Sequence, residues 1–328
     1  GTVTRRTAVV HVPLSRLEEL GSLPGVKRVE ASLPMKPYLD VSMVEAFGAQ
    51  AHGASQPPYP QSGATGKDVV VGIVDSGIDS NHEDFEDGDG NTRIRHVWDQ
   101  SDAAGPHPPE YPCNLSRGYC GTEWDADDID ANRARQRDFD GHGTHVAGIA
   151  VGDGSMTGNG EDAFQYVGAA PESDIVFVKT VFSTAAIIDA VDYVFRRAGS
   201  APAVANLSLG TQFGPHDGTS AIDLAMSDLS GPGRIIVAAA GNEGALPIHA
   251  EATLAPGTTR EFFLTVEGPL SPAPGAENDI LWVEGWYPGD EALVFTLTAP
   301  NGTDFAGPAG KGTQRTKDTN SGFLWVEN

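Results

Sequence analysis

The sequence predicts an α/β protein built on a doubly wound parallel sheet, with an α+β fragment in front of it and an incomplete all-β module behind. Three observations carry this expectation. From Val69 onward, apolar runs at 69–74, 175–181, 204–209 and 235–240 are separated by helix-length segments at 142–152, 184–198 and 218–230. The runs are continuous rather than alternating, which is the pattern of strands covered on both faces and joined by right-handed crossovers. After residue 247 the pattern changes to short period-2 segments separated by turn residues.

In chain order, residues 1–36 read as a strand at 7–12, a short helix at 17–20 with Ser15 as its N-cap, and a second strand at 26–30. Pro34 and Pro37 then interrupt regular structure, and 49–66 is a surface loop rich in Gly, Pro, Ser and Gln. The α/β pattern occupies 37–247. Within it, the polar stretch between Asp84 and Asp140 reads as a cover over one edge of the site, and its acidic run Asp125–Asp130 as a helix start or a cation site, with a solvated face the plainer reading. The tail, 248–328, carries candidate strands at 260–266, 279–284 and 292–298, with turns at Pro288-Gly289 and Asn301-Gly302.

Charge narrows the function. Against 21 Lys and Arg stand 45 Asp and Glu, a formal net charge of −24. Such a surface repels phosphate backbones, so nucleic acid is not an expected partner. No apolar run approaches the roughly 20 residues that span a bilayer, so no membrane partner is expected either. Cys113 and Cys120 sit close together in a Gly/Pro-rich stretch. A small loop disulfide fits them and implies an oxidising, extracytoplasmic compartment; two free thiols are the plain alternative. Zinc does not fit two cysteines without a nearby His pair.

Three residues stand where chemistry gathers in such a fold, beyond the carboxyl ends of the strands. Asp75 ends the run 69–74, and Gly77 allows a sharp turn past it. His142 opens a small-residue helix between Gly141 and Gly143. Asn242 follows the run 235–240. A helix N-terminus disfavours an imidazolium, and a buried carboxylate restores the balance while fixing the tautomer. Asp75 would hold one ring nitrogen of His142 and leave the other as a base, and Asn242 would donate to an oxyanion. An aspartic-protease lobe would need a second Asp-Ser-Gly turn. A metal pair of His142 and His145, near Asp138 and Asp140, would leave Asp75 and Asn242 unexplained, and His145 reads instead as a packed helix residue.

The segments DSGID (75–79), HGTHVAG (142–148) and AAGNE (239–243), in that order, resemble the aspartate, histidine and oxyanion-asparagine motifs of the subtilisin-like serine proteases, the subtilases. The resemblance covers about 67–247. It implies a serine endopeptidase with an Asp-His-Ser triad, and an extended peptide substrate bound along Ser208, Leu209 and Gly210 of NLSLG (206–210). It also implies that 1–36 is the back half of an inhibitory propeptide, cut within Ala31–Met43. The β-rich tail is similar to the jelly-roll-like insertion of clostridial spore-germination-type subtilases. No cofactor is required, though the resemblance allows a structural calcium at Asp84. The departure is the nucleophile. The one Gly-Thr-Ser, at 218–220, precedes Asn242, and Ser220 with Asp223 reads as a helix cap. Ser271 and Ser321 lack the motif. The serine is therefore expected outside these residues, and the polypeptide alone is expected to be inactive. The alternative is a non-catalytic pseudoprotease or peptide-binding module.

Overall fold

The computed structural model describes residues 63–113, 119–156, 162–246, 248–264, 283–299, 302–303, 305–319 and 322–328. Before these it describes 3, 7, 8, 10, 12–26, 29, 36 and 37. The chain separates into two compact units, Gly1–Glu267 and Gly268–Asn328.

The first unit is organised by a six-stranded sheet. Its strands are β2 (Val70–Asp75), β3 (Ile94–Asp99), β4 (Thr122–Asp125), β5 (Asp174–Lys179), β6 (Ala203–Leu207) and β8 (Arg234–Ala238). Their order is β4-β3-β5-β2-β6-β8, with all neighbours parallel except the antiparallel β3–β4 pair. Two short strands stand outside it: β1 (Lys36–Pro37) pairs antiparallel with β7 (Leu209–Gly210).

Side chains alternate across the sheet and build two cores, as the strand period requires. On one face, Val70, Val74, Val176 and Val178 meet the helix Thr184–Ala198. On the other, Val71, Ile73, Ile175 and Phe177 meet the helix His142–Val151. With the helices numbered in chain order, these are α4 and α3. Preceding them are α1 (Leu17–Gly21) and α2 (Ala126–Asp130), and following them is α5 (Ala221–Leu229). Gly72 lies on the α4 face of β2, where a Cβ would come within 2.1 Å of Val194 Cγ1, so only glycine allows that helix its close seat.

The three expected helices form at 142–151, 184–198 and 221–229. Ser220 caps the last, accepting from Asp223 N–H at 3.3 Å. Asp125 caps α2 in the acidic run. Cys113 and Cys120 are joined as a disulfide.

Several expectations need correction. β3 and β4 fall in the polar stretch read as a cover; they extend the sheet by two strands. Arg95 and His96 inside β3 had masked it, since one face of that strand near the edge reaches solvent. β8 is not buried on both faces: Ile235 is 56% exposed, because β8 is an edge strand that no other described strand flanks. At the N-terminus, Ser15 lies inside a 3₁₀ turn, Leu14–Arg16, that leads into α1, so it is not the N-cap. The strand at 7–12 is reduced, among described residues, to the isolated bridge Val3–Ala8. An unsupported pair of strands has too little apolar cover to persist. Of the strand at 26–30, the described Val26 and Val29 are not in a strand, and the rest lies outside the described residues. Residues 260–264 are irregular, and most of 279–284 lies outside the described residues. No helix among the described residues is long and apolar enough to cross a membrane.

The second unit is all-β among its described residues. β9 (Val294–Thr298) pairs with β10 (Phe305–Gly310), and β11 (Gln314–Thr319) pairs with β12 (Gly322–Glu327), both antiparallel.

Gly72→Ala should cost about 1–3 kcal/mol through overpacking against α4. Combined with Val194→Ala, the loss of stability in urea denaturation should be smaller than the sum of the two single losses.

Candidate active site

Asp75 is the last residue of β2, fully buried at the carboxyl edge of the sheet. The chain leaves it through Gly77 at φ 144°, a conformation open to glycine alone. His142 is the first residue of α3, preceded by Gly141 in the left-handed region at φ 82°. The first turn of α3 lies directly on the turn after Asp75. A Cβ on Gly143 would stand 2.1 Å from the Gly77 carbonyl oxygen and 3.1 Å from Asp75 Cβ. Gly143 is therefore as necessary to the geometry as the two reactive groups.

This approach brings His142 Nδ1 to 2.7 Å from Asp75 Oδ1. The same oxygen accepts the Ser76 N–H at 2.7 Å. Among the described residues, Asp75 Oδ2 and His142 Nε2 are buried without a hydrogen-bond partner. Burial pushes the Asp75 carboxyl above its ordinary range, against the opposing pull of its bonds to His142 and Ser76. One imidazole nitrogen is thus held by a carboxylate while the other is left available, the arrangement of a general base with an orienting partner.

Asn242 stands at the same edge, just beyond the end of β8 and two strands from Asp75. It is exposed, and its backbone N–H donates to Glu243 Oε2 at 3.0 Å. No contact joins it to the Asp75–His142 pair. Ser208 is buried, and its hydroxyl accepts from Asn206 Nδ2 at 3.0 Å. The β2–β6 register matches Ile73 to Asn206, so carrying it two residues further sets Ser208 level with Asp75. Leu209 and Gly210 pair with Pro37 and Lys36.

His145 is exposed on α3 rather than packed, because its position on the helix faces away from the core formed by Val146, Ala147 and Val151. Asp84 Oδ1 is engaged by the Met156 N–H at 2.7 Å, and no group of three His, Cys, Asp or Glu side chains among the described residues could hold a metal. No step below uses a calcium ion.

Sequence reasoning met Asp138 only as a neighbour of the rejected metal pair, and passed over Phe139 and Lys179. Asp138 accepts from Ser76, Gly141 and Thr144. Phe139 is 91% exposed beside the His142 turn, with the Lys179 ammonium 5.3 Å from its ring centre. Lys179 also donates to the Arg137 carbonyl at 2.6 Å. Asp138 carried a signal, four residues before a helix-opening His with only small or turn-forming residues at 141 and 143. The Lys179 placement depends on the β2–β5 register and had none.

Because the buried Asp75 carboxylate is penalised, its contribution to stability is greatest below the ordinary carboxylate range and is lost as pH rises through its raised value. Asp75→Asn removes that titration. The urea midpoint of the variant relative to the parent should therefore be higher at pH 7 than at pH 3. A relative midpoint that rises towards acid would contradict the burial argument.

Comparison with known proteins shows the family. The sequence profile of the Subtilase family matches residues 66–296. The thermophilic serine proteinase of Bacillus sp. (strain AK1) is 26% identical over 257 residues, covering 75% of this chain and 50% of that protein. The subtilisin-like protease PopC of Myxococcus xanthus is 30% identical over 172 residues, covering 49% of this chain and 28% of that protein. The structure of the Clostridium perfringens CspB protease aligns with a TM-score of 0.46 at 29% identity, over 55% of this chain and 37% of that one. The chain spans about half the length, or less, of these relatives. With the Asp75 turn, the His142 helix and the intervening sheet all inside the matched region, the chain belongs to the subtilase family of serine proteases.

Proposed function

We propose that this chain supplies the aspartate–histidine half of a serine endopeptidase. Asp75 holds His142 Nδ1 and fixes the tautomer. His142 Nε2 takes the proton of a serine hydroxyl as that oxygen attacks the peptide carbonyl, then returns it to the leaving amine. The serine belongs to a Gly-Thr-Ser-x-Ala segment outside these 328 residues. Asn242 donates its side-chain N–H to the oxyanion together with a backbone N–H. The single observation that supports this reading most is the 2.7 Å contact between His142 and Asp75, with Nε2 left buried and unpartnered.

The substrate reading rests on β7. An extended peptide adds to Leu209–Gly210 as a strand, with Ser208 next in line towards the dyad. The chain's own Lys36–Pro37 already pairs there, which supports residues 1–36 acting as an intramolecular inhibitor. Proline lacks an N–H, so Pro37 suits the position of an antiparallel pair that exchanges no hydrogen bond, leaving Lys36 to bond with Gly210. The strand direction runs from Pro37 towards the level of Ser208 and Asp75, so the bond cut on maturation falls within the few residues after Pro37. Such a protease acts outside the cytoplasm, where the Cys113–Cys120 disulfide persists.

A longer form carrying the serine segment should hydrolyse peptides and react with a fluorophosphonate. His142→Ala should abolish both, and unchanged hydrolysis in that variant would refute the dyad. Asn242→Ala should lower kcat about 100- to 1,000-fold, a range set by a subtilisin and so borrowed from the family. The 328 residues alone should not turn peptides over. N-terminal sequencing of the mature enzyme should place the cut just after Pro37; a new terminus before Lys36 would contradict the strand assignment.

A further inference from the structure

We infer that Asp138 is a positioning residue for His142, clamping the first turn of α3 to the turn that carries Asp75. The inference rests on the peptidase reading above and adds a residue to it. Asp138 lies four residues before His142 and touches neither ring nitrogen. Its carboxylate receives bonds from both sides of the site. From the Asp75 turn, the Ser76 hydroxyl donates to Oδ1 at 2.9 Å. From the α3 side, Gly141 N–H donates to Oδ1 at 3.0 Å, and Thr144 donates to Oδ2 through its N–H at 2.8 Å and its hydroxyl at 2.7 Å.

The two hydroxyls extend the clamp. Ser76 Oγ accepts the Gly143 N–H at 2.9 Å, and Thr144 Oγ1 accepts the Asp79 N–H at 2.9 Å. Two relays therefore cross between the turn after β2 and the first turn of α3, and both converge on one carboxylate. Gly141, the N-cap position, supplies no side-chain cap. Two of the orphan N–H groups of α3, on Gly143 and Thr144, are satisfied instead by Ser76 and Asp138.

A helix cap alone would require only the bond from the Thr144 N–H. The bond from Ser76 has no capping purpose, because it ties the carboxylate to the residue next to Asp75. All four groups that face Asp138 are donors, so an ionised carboxylate, which only accepts, matches the site. Burial raises the carboxyl, but the bonds from Thr144, Ser76 and Gly141 outweigh it and hold Asp138 below the usual carboxylate range. An amide in its place would turn an NH2 group towards donors on one side and release that side of the clamp. Misplacement of a base by about 1 Å can cost on the order of 100-fold in rate, so orientation of His142 is where the loss would register.

The test reads the imidazole directly and does not need peptidase activity. In the 328-residue chain labelled with 15N-histidine, the Nδ1 proton that His142 shares with Asp75 should give a far-downfield proton resonance, absent in Asp75→Asn. In Asp138→Asn that resonance should disappear or broaden into exchange while urea unfolding remains cooperative. Ser76→Ala, which removes the Ser76–Asp138 and Gly143–Ser76 bonds and leaves Thr144 bonded to Asp138 and Asp79, should weaken it in the same direction and guards against a variant that fails to fold. In the longer, serine-bearing form, Asp138→Asn should lower kcat by roughly 10- to 100-fold with KM within about twofold. A resonance unchanged in both Asp138→Asn and Ser76→Ala overturns the positioning role and leaves the dyad standing. A loss expressed mainly in KM also overturns it, since it would place Asp138 in substrate binding. A parent chain without the resonance overturns the dyad itself, and the positioning role with it.

Discussion

Everything at this site depends on how closely one helix approaches one turn. α3 begins almost in contact with the residues that follow β2, and the interval is too small for any side chain at position 143. That approach converts two distant segments, separated by two strands and a long loop, into a hydrogen-bonded pair. The helix is held there by its buried face on the sheet and by polar links at its tip. The apolar contacts of Val146, Ala147 and Val151 set its distance from β2, and the links through Ser76, Asp138 and Thr144 set its end.

The electrostatics follow from that geometry. A carboxylate at the fully buried end of a strand is costly, and the Asp75 side chain has only one of its two oxygens bonded among the described residues. A helix N-terminus beside an imidazole adds a second cost whenever the ring is charged. Each offsets the other, because Asp75 supplies the negative charge that the ring needs and the ring supplies the donor that the carboxylate needs. Asp138 adds an ionised carboxylate at the same helix end, where anions are favoured. Local stability is sacrificed for a prepared base, as is common where binding or catalysis is concentrated.

The proposed peptide-binding side of the site is built differently. β7 follows β6 after one intervening residue, Ser208, so it leaves the sheet at the level of Asp75 and offers a free edge to a second strand. Among the described residues, Lys36 and Pro37 of the N-terminal segment take that edge. The exposed Val10, Val12 and Val29 in the same segment show how little core it owns.

Much of this was legible in the sequence because it is local. Continuous apolar runs announce buried parallel strands, and the helix expected at 184–198 forms over those residues, with Ser183 as its cap and Gly199 at its end. The places of Asp75 and Asn242 at strand ends and of His142 at a helix start were legible from small-residue context. The edges of the sheet were not. β3 hides behind Arg95 and His96, β4 behind an acidic run, and β8 is exposed although its residues are apolar. Whether an apolar strand is central or peripheral is decided by its neighbours, which local pattern does not name. The sequence by itself determined which residue types stand at the carboxyl ends of the strands, since a side chain's chemistry and its place at the end of an apolar run are local properties. Only the tertiary structure decided that Asp75 and His142 touch, that Asp138 ties their two segments together, and that Lys36–Pro37 lies on β7. Each of those depends on register and helix approach, which arise when distant segments pack and have no counterpart in a single stretch of chain.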